Sequence, residues 1–413
     1  MKRRMRGQSR RKRLIIEGLD YTHLMKRKSN TKVAKAATNI KKNTVINWIQ
    51  VDSCEDGTPI KLAIYERGNP CGYPLIYLHG GPGGNYESSI SSLFDLKKYH
   101  FISFDQRSCG NSTPRLMIEK DKNTTQRLIE DIETIRRIVV KDAKKWLVVG
   151  GSWGSSLAML YAQSHPDRVS GMILRGFSDL TEDEITNPLY SQMFTEVTDE
   201  YFKLYGMDYR KKEELKLSKK IHERFTKYLP SKSSVRYDKS QASRHIMRSL
   251  TKKDKRILEM FSDNQVYTIA NLKVVNRTLR KIRASKRLKR RQQLLKERTR
   301  KRRHAGSHDY DKESNIFRDY ADALVMYHYA INNFFLKKNQ IVLEENVRKV
   351  RHIPTIFVQG RFDIVCPYRM AYEMHKKLSK SELWVAHAGH LTQNAQISDY
   401  IRKAGRKLYR VVS

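Results

Sequence analysis

The sequence predicts an α/β fold: a mostly parallel central sheet, helices on both faces, and a helical cap inserted over the carboxyl edge. Three observations carry this. Short apolar runs alternate with helical spacings at both ends of the 413-residue chain. Between about residues 180 and 350 that alternation stops, and the sequence becomes helical in pattern, highly charged and irregular. An apolar run, Trp146–Val149, meets a helical one across Gly150-Gly-Ser-Trp-Gly154, whose glycines permit a sharp turn.

The elements follow in order. Val45–Val51 and Ile60–Tyr65 read as strands around Asp56-Gly57, a hairpin signal. Pro74–Leu78 and Tyr99–Phe104 read as short buried strands. Thr124–Lys141 carries apolar residues at 128, 132, 135 and 139, a helical spacing. The strand Trp146–Val149 leads through the turn into a helix over Ser156–Gln163, and Val169–Leu174 is another strand. After the charged middle come a strand at 354–358, a helix near Arg369–Leu378 and a strand at Glu382–Ala386. The resulting divisions are a basic arm at 1–44, a first core part at 45–179, the cap at 180–350 and a second core part at 351–413.

Composition bounds the remaining possibilities. The net charge of +39 predicts attraction to polyanions and says nothing about fold. Two segments concentrate it. Residues 1–13 hold eight Lys/Arg and no acid, and Arg277–His304 holds fifteen Lys/Arg with Glu297 as its one acid. Either segment is a solvated basic run or a nonspecific contact for nucleic acid. The four cysteines are widely spaced and in no metal or disulfide pattern, which suits a reducing compartment. No run approaches the roughly 20 apolar residues of a membrane span, and Leu14–Ile16 is too short for a secretory signal. A cytoplasmic location is expected, with organellar or nuclear targeting by the basic N-terminus left open.

Gly-x-Ser-x-Gly between a strand and a helix is the nucleophile elbow of an α/β-hydrolase. It presents Ser152 at the carboxyl edge of the sheet. A serine hydroxyl is a poor nucleophile without a base, and the base needs an orienting carboxylate. In this fold they follow in the order Ser, Asp/Glu, His. Asp363 directly follows the strand at 354–358, and His390 follows the strand ending at Ala386. His387 is a neighbouring alternative; Gly389 favours His390 by freeing its ring. The oxyanion of an acyl intermediate needs two backbone N–H donors. Trp153 supplies one, and the loop His79–Gly84 supplies the other, with Gly81 first and Gly80 second. That loop lacks the Lys-Ser/Thr ending of a phosphate-binding P-loop. No metal or cofactor is expected.

At this point the residues resemble the proline iminopeptidases. Leu78-His-Gly-Gly-Pro-Gly-Gly84 is similar to that family's oxyanion loop. Phe104-Asp-Gln-Arg-Ser-Cys-Gly-Asn-Ser112 resembles its next loop, with Ser108 and Asn111 departing. Asn123-Thr-Thr125, Asp131-Ile-Glu133, Gly150–Ser155, Tyr161-Ala-Gln163 and His165-Pro166 follow the same pattern. So do Gly360–Asp363, Val365-Cys-Pro367 and Ala388-Gly-His390. The likeness covers roughly 45–180 and 350–392. It implies removal of an N-terminal residue, usually proline, from a peptide, with an acyl-enzyme formed on Ser152 and no metal.

The cap departs from the family. Val325-Met-Tyr-His-Tyr-Ala330 corresponds to a segment in which the family carries a glutamate that holds the substrate's amino group, and Met326 stands at that place. A family Trp-Glu pair has no counterpart, since no tryptophan lies between 153 and 384; Glu297 is the candidate replacement acid. The alternatives are therefore an esterase or amidase of altered specificity, or a polyanion-binding protein on a hydrolase scaffold.

Overall fold

The computed structural model describes residues 45–115, 121–181, 251–253, 322–330, 332–363 and 365–413. The basic arm, the segment 277–304 with Glu297, and most of the cap lie outside the described residues.

Eight strands form one sheet: β1 (Val45–Ser53), β2 (Pro59–Gly68), β3 (Tyr73–Leu78), β4 (Tyr99–Phe104), β5 (Trp146–Gly151), β6 (Val169–Arg175), β7 (Thr355–Gly360) and β8 (Ser381–Ala386). Their spatial order is β1-β2-β4-β3-β5-β6-β7-β8. The β1–β2 and β2–β4 pairs are antiparallel, and every pair from β4–β3 to β7–β8 is parallel. The expected mostly parallel sheet is present, and each strand read from the sequence exists, usually one to three residues longer.

The strands are apolar on both sides because both faces are covered. Alternate residues serve opposite faces. Ile76, Val148, Met172 and Phe357 pack into one core, and Leu75, Val149, Ile173 and Ile356 into the other. Helices α1 (Thr125–Val139), α2 (Trp153–Ser164), α3 (Glu344–Val350) and α4 (Tyr368–Lys377) contribute to the first core. Helix α5 (Ala395–Val412) and the short helical turn Ser88–Ser91 contribute to the second.

Helix α1 begins where Thr124 Oγ1 accepts the Arg127 N–H at 3.2 Å, a side-chain N-cap. Its buried stripe is Leu128, Ile129, Ile132 and Ile135. Helix α2 is buried from Trp153 through Gln163, because it lies directly on the sheet beneath α1 and α3. Gln163 Nε2 donates to Ile341 O at 2.8 Å, and Ile341, Val347 and Val350 belong to the same core.

Helix α5 has no counterpart in the sequence reading above. Its signal is present: Ile397, Ile401, Ala404 and Leu408 are buried at helical spacing. Asn394 Oδ1 caps its N-terminus, accepting from Gln396 N and Ile397 N. Among the described residues no helix is long and apolar enough to cross a membrane.

Candidate active site

The elbow is built as the glycine pattern requires. Ser152 sits between β5 and α2 at φ 54°, ψ −129°, a backbone position a side chain rarely adopts. Two close approaches hold it there. A β-carbon on Gly154 would fall 2.1 Å from Leu78 O, and one on Gly150 would fall 2.1 Å from Gly154 O. Ser152 N–H donates to Arg175 O at 2.8 Å, which ties the turn to the end of β6.

The two residues expected to partner Ser152 converge on it. His390 Nε2 lies 3.0 Å from Ser152 Oγ, and His390 Nδ1 lies 2.8 Å from Asp363 Oδ2. All three are buried. The other oxygen of Asp363, Oδ1, accepts Val365 N–H at 3.0 Å and Cys366 N–H at 2.9 Å, so the carboxylate is fixed from both sides. His387, the sequence neighbour, is exposed and stacks edge-on against Phe362 with centroids 6.0 Å apart.

The Gly-rich loop also lies beside Ser152. A β-carbon on Gly80 would come within 3.2 Å of Ser152 Cβ, so this backbone borders Ser152 directly. Gly81 has φ +122°, a region open to glycine. Trp153 begins α2, so its N–H is one of the helix donors that lack an intrahelical acceptor.

Gln106 ties the start of the Gly-rich loop to the Trp153 side chain. Its amide Nε2 donates to His79 O at 2.9 Å, and its Oε1 accepts the Trp153 indole N–H at 2.9 Å. Gln106 N–H donates to His79 Nε2 at 3.0 Å. Burial pushes the His79 imidazole below its ordinary value, in keeping with a neutral ring that accepts at Nε2.

The helical residues 322–330 close over this loop. Arg115 Nη2 donates to Asp322 Oδ1 at 2.8 Å, and Tyr329 OH donates to Asn123 Oδ1 at 2.9 Å. The Tyr329 ring packs 5.4 Å from that of Trp153. Met326 lies on this segment and is half-buried. Glu297 lies outside the described residues. A family model described as alpha/beta hydrolase fold matches residues 73–394. The chain is 32% identical over 348 residues to the proline iminopeptidase of Arabidopsis thaliana, spanning 83% of this chain and 75% of that protein.

The chain belongs to the proline iminopeptidase family of α/β-hydrolases.

It is also 33% identical over 342 residues to a probable proline iminopeptidase of Leptolyngbya boryana, covering 81% of this chain and 86% of that one. The proline iminopeptidase of Neisseria gonorrhoeae is 29% identical over 343 residues, covering 82% and 89% respectively.

Three residues that support this proline-iminopeptidase-family site escaped the sequence reading. Gln106 is one. Gln359 is the second: its Nε2 lies 3.3 Å from Asp363 Oδ2, and its Oε1 accepts Phe177 N–H at 3.1 Å. Arg175 is the third. Its Nη1 donates to His390 O at 2.9 Å and lies 3.3 Å from His390 Nε2. Gln106 stood inside the quoted Phe104–Ser112 motif without a role assigned to it; for Gln359 and Arg175 the signal was position, each at the carboxyl end of a parallel strand. Gly176 follows Arg175 at φ +58°, and a β-carbon there would come within 3.1 Å of His390 Cε1.

Arg175 therefore holds the histidine loop from behind. Arg175→Met is expected to lower kcat about 100-fold with KM little changed, because small displacements of a reacting group cost about that much. Steady-state kinetics on an arylamide substrate measure it, and an unchanged kcat would exclude this positioning role.

Proposed function

We propose that this protein is a serine hydrolase that releases the N-terminal residue of a peptide through an acyl-enzyme. One observation carries the proposal: a single imidazole, His390, stands within hydrogen-bonding distance of both Ser152 Oγ and Asp363 Oδ2. In this reading His390 takes the Ser152 proton as Oγ attacks the scissile carbonyl. Asp363 holds the ring in the tautomer that leaves Nε2 open, and stabilises the imidazolium that forms. The negative charge developing on the carbonyl oxygen is met by the N–H groups of Trp153 and Gly81. His390 then passes its proton to the departing amine, and water attacks the acyl-enzyme by the same route in reverse. Residues 180–350 serve as the substrate-selecting cap, of which 322–330 already lie against the Gly-rich loop. Substrates are peptides or small amides and esters. Residues 1–13 and 277–304 add a nonspecific contact for polyanions.

A second reading concerns selectivity. Met326 is half-buried on the 322–330 segment, where the family resemblance expects a carboxylate for the substrate ammonium. A charged group buried without its partner costs about 3–5 kcal/mol. The preference for a free N-terminal proline is accordingly weakened, and short acyl esters become competitive. Turnover of proline, alanine and leucine arylamides, measured beside short acyl esters, tests both readings. Comparable kcat/KM across the panel is expected. Efficient turnover of the proline arylamide alone would refute the altered selectivity while leaving the hydrolase reading intact. Turnover of none of these compounds would refute the hydrolase reading.

A further inference from the structure

Helix α5 presents its solvent face next to the turn that precedes β4, and a cleft of about 300 Å³ lies between them. Lys98, Arg402, Arg406 and Arg410 line it, against a single carboxylate, Asp95. The cations on α5 fall into two groups. Lys403 is paired with Asp399 at 2.8 Å and Lys407 with Glu382 at 2.7 Å, both on the helix flank. Arg402, Arg406 and Arg410 point into the cleft and, among the described residues, form no ion pair within 4.0 Å. All three are exposed.

We propose that this cleft binds the phosphate backbone of single-stranded nucleic acid. The arginines recur every four residues, which sets successive guanidinium groups about 6 Å apart and spreads the row over about 12 Å. A row of that length exceeds one phosphate group and suits a chain of them. Guanidinium forks match paired phosphate oxygens. One aromatic ring beside the row reaches solvent: Tyr409, half-buried, packs edge-on against the buried Tyr99 with centroids 5.3 Å apart, and Lys98 Nζ lies 5.2 Å from the Tyr409 ring. A cationic groove beside an accessible aromatic ring is how proteins hold single strands without reading sequence. An anionic membrane fits less well, because Ile397, Ile401 and Leu408 are buried against the sheet and Val411 alone among the large apolar side chains of α5 is exposed. The net charge of +39 concentrates polyanions around the whole molecule, and this cleft gives them a place to seat. It is built from α5 and the turn before β4, and no residue of the basic segments at 1–13 and 277–304 is needed to form it.

The test uses the full chain and a fluorescein-labelled single-stranded oligothymidylate, with binding followed by anisotropy across a salt series. The R402Q/R406Q/R410Q variant keeps good helix formers on an exposed face, so its melting temperature and arylamide turnover should match the parent. Its affinity is expected to fall at least about 10-fold near 0.1 M salt. Its slope of log K against log salt is expected to shrink by about 2, from three lost phosphate contacts at about 0.7 each. An unchanged affinity and slope would overturn the proposal, as would a parent protein that does not bind the oligonucleotide. It would equally be overturned if the substitutions abolished binding to phosphatidylserine vesicles while leaving oligonucleotide binding intact.

Discussion

Ser152→Ala is expected to reduce kcat on the order of 10⁶-fold, because removing the nucleophile of such a triad costs about as much as removing all three members. The fold should survive. The β-carbon that already tolerates φ 54° is kept, and only the Oγ contact to His390 at 3.0 Å is lost. Thermal melting should therefore change by no more than a few degrees. Measuring arylamide turnover and melting on the same preparation separates the outcomes. A variant that melts like the parent and still turns over substrate would remove Ser152 from the mechanism.

The largest expected effect on stability lies outside the chemistry. Arg107 and Asp131 form a two-pronged pair, with Nε to Oδ2 at 2.7 Å and Nη2 to Oδ1 at 2.8 Å. Each side chain is 2% exposed. Asp131→Ala leaves a guanidinium buried beside α1 with one remaining carboxylate, Asp52 at 3.3 Å, and the Lys122 carbonyl to offset it. The expected loss is about 3–5 kcal/mol, read from urea unfolding. Replacing both partners, as in R107M/D131L, should recover most of it, because two apolar side chains leave no charge unmatched. A loss below about 1 kcal/mol in Asp131→Ala would show that water reaches this pair. Gln106 precedes Arg107 and joins His79 to Trp153, so activity should fall with stability in the single variant and return in the double one.

The sheet was legible because each parallel strand is an apolar run of about six residues, bounded by turn residues and covered on both faces. The elbow was legible because close backbone contact at Gly150 and Gly154 excludes any side chain there, and that exclusion is written as glycine. Helix α5 carried an equally regular pattern, yet no chemical motif lies beyond His390 to draw the reading onward. Arg175, Gln106 and Gln359 were harder still. Their roles depend on where parallel strands place them, Arg175 meeting a histidine 215 positions away. One polar residue at a strand end looks like any other until the neighbouring strand is known. For Met326 the resemblance marked the position, and the structure adds that its segment lies against Gly83 through the Asp322 carbonyl and against Trp153 through Tyr329.

Ser152 and His390 are 238 residues apart in the chain. Synthesis proceeds at about 5–20 residues per second, so the elbow exists for about 10–50 s before its base has been made. β7 and β8 supply both Asp363 and His390, and they occupy the last two places in the sheet, beyond β6. Under the proposed mechanism a growing chain carries Ser152 without the base and carboxylate that would activate it. On that mechanism the reactive centre forms only once nearly the whole protein has been translated and the far edge of the sheet has docked. Truncated products ending before that edge would lack both partners of Ser152.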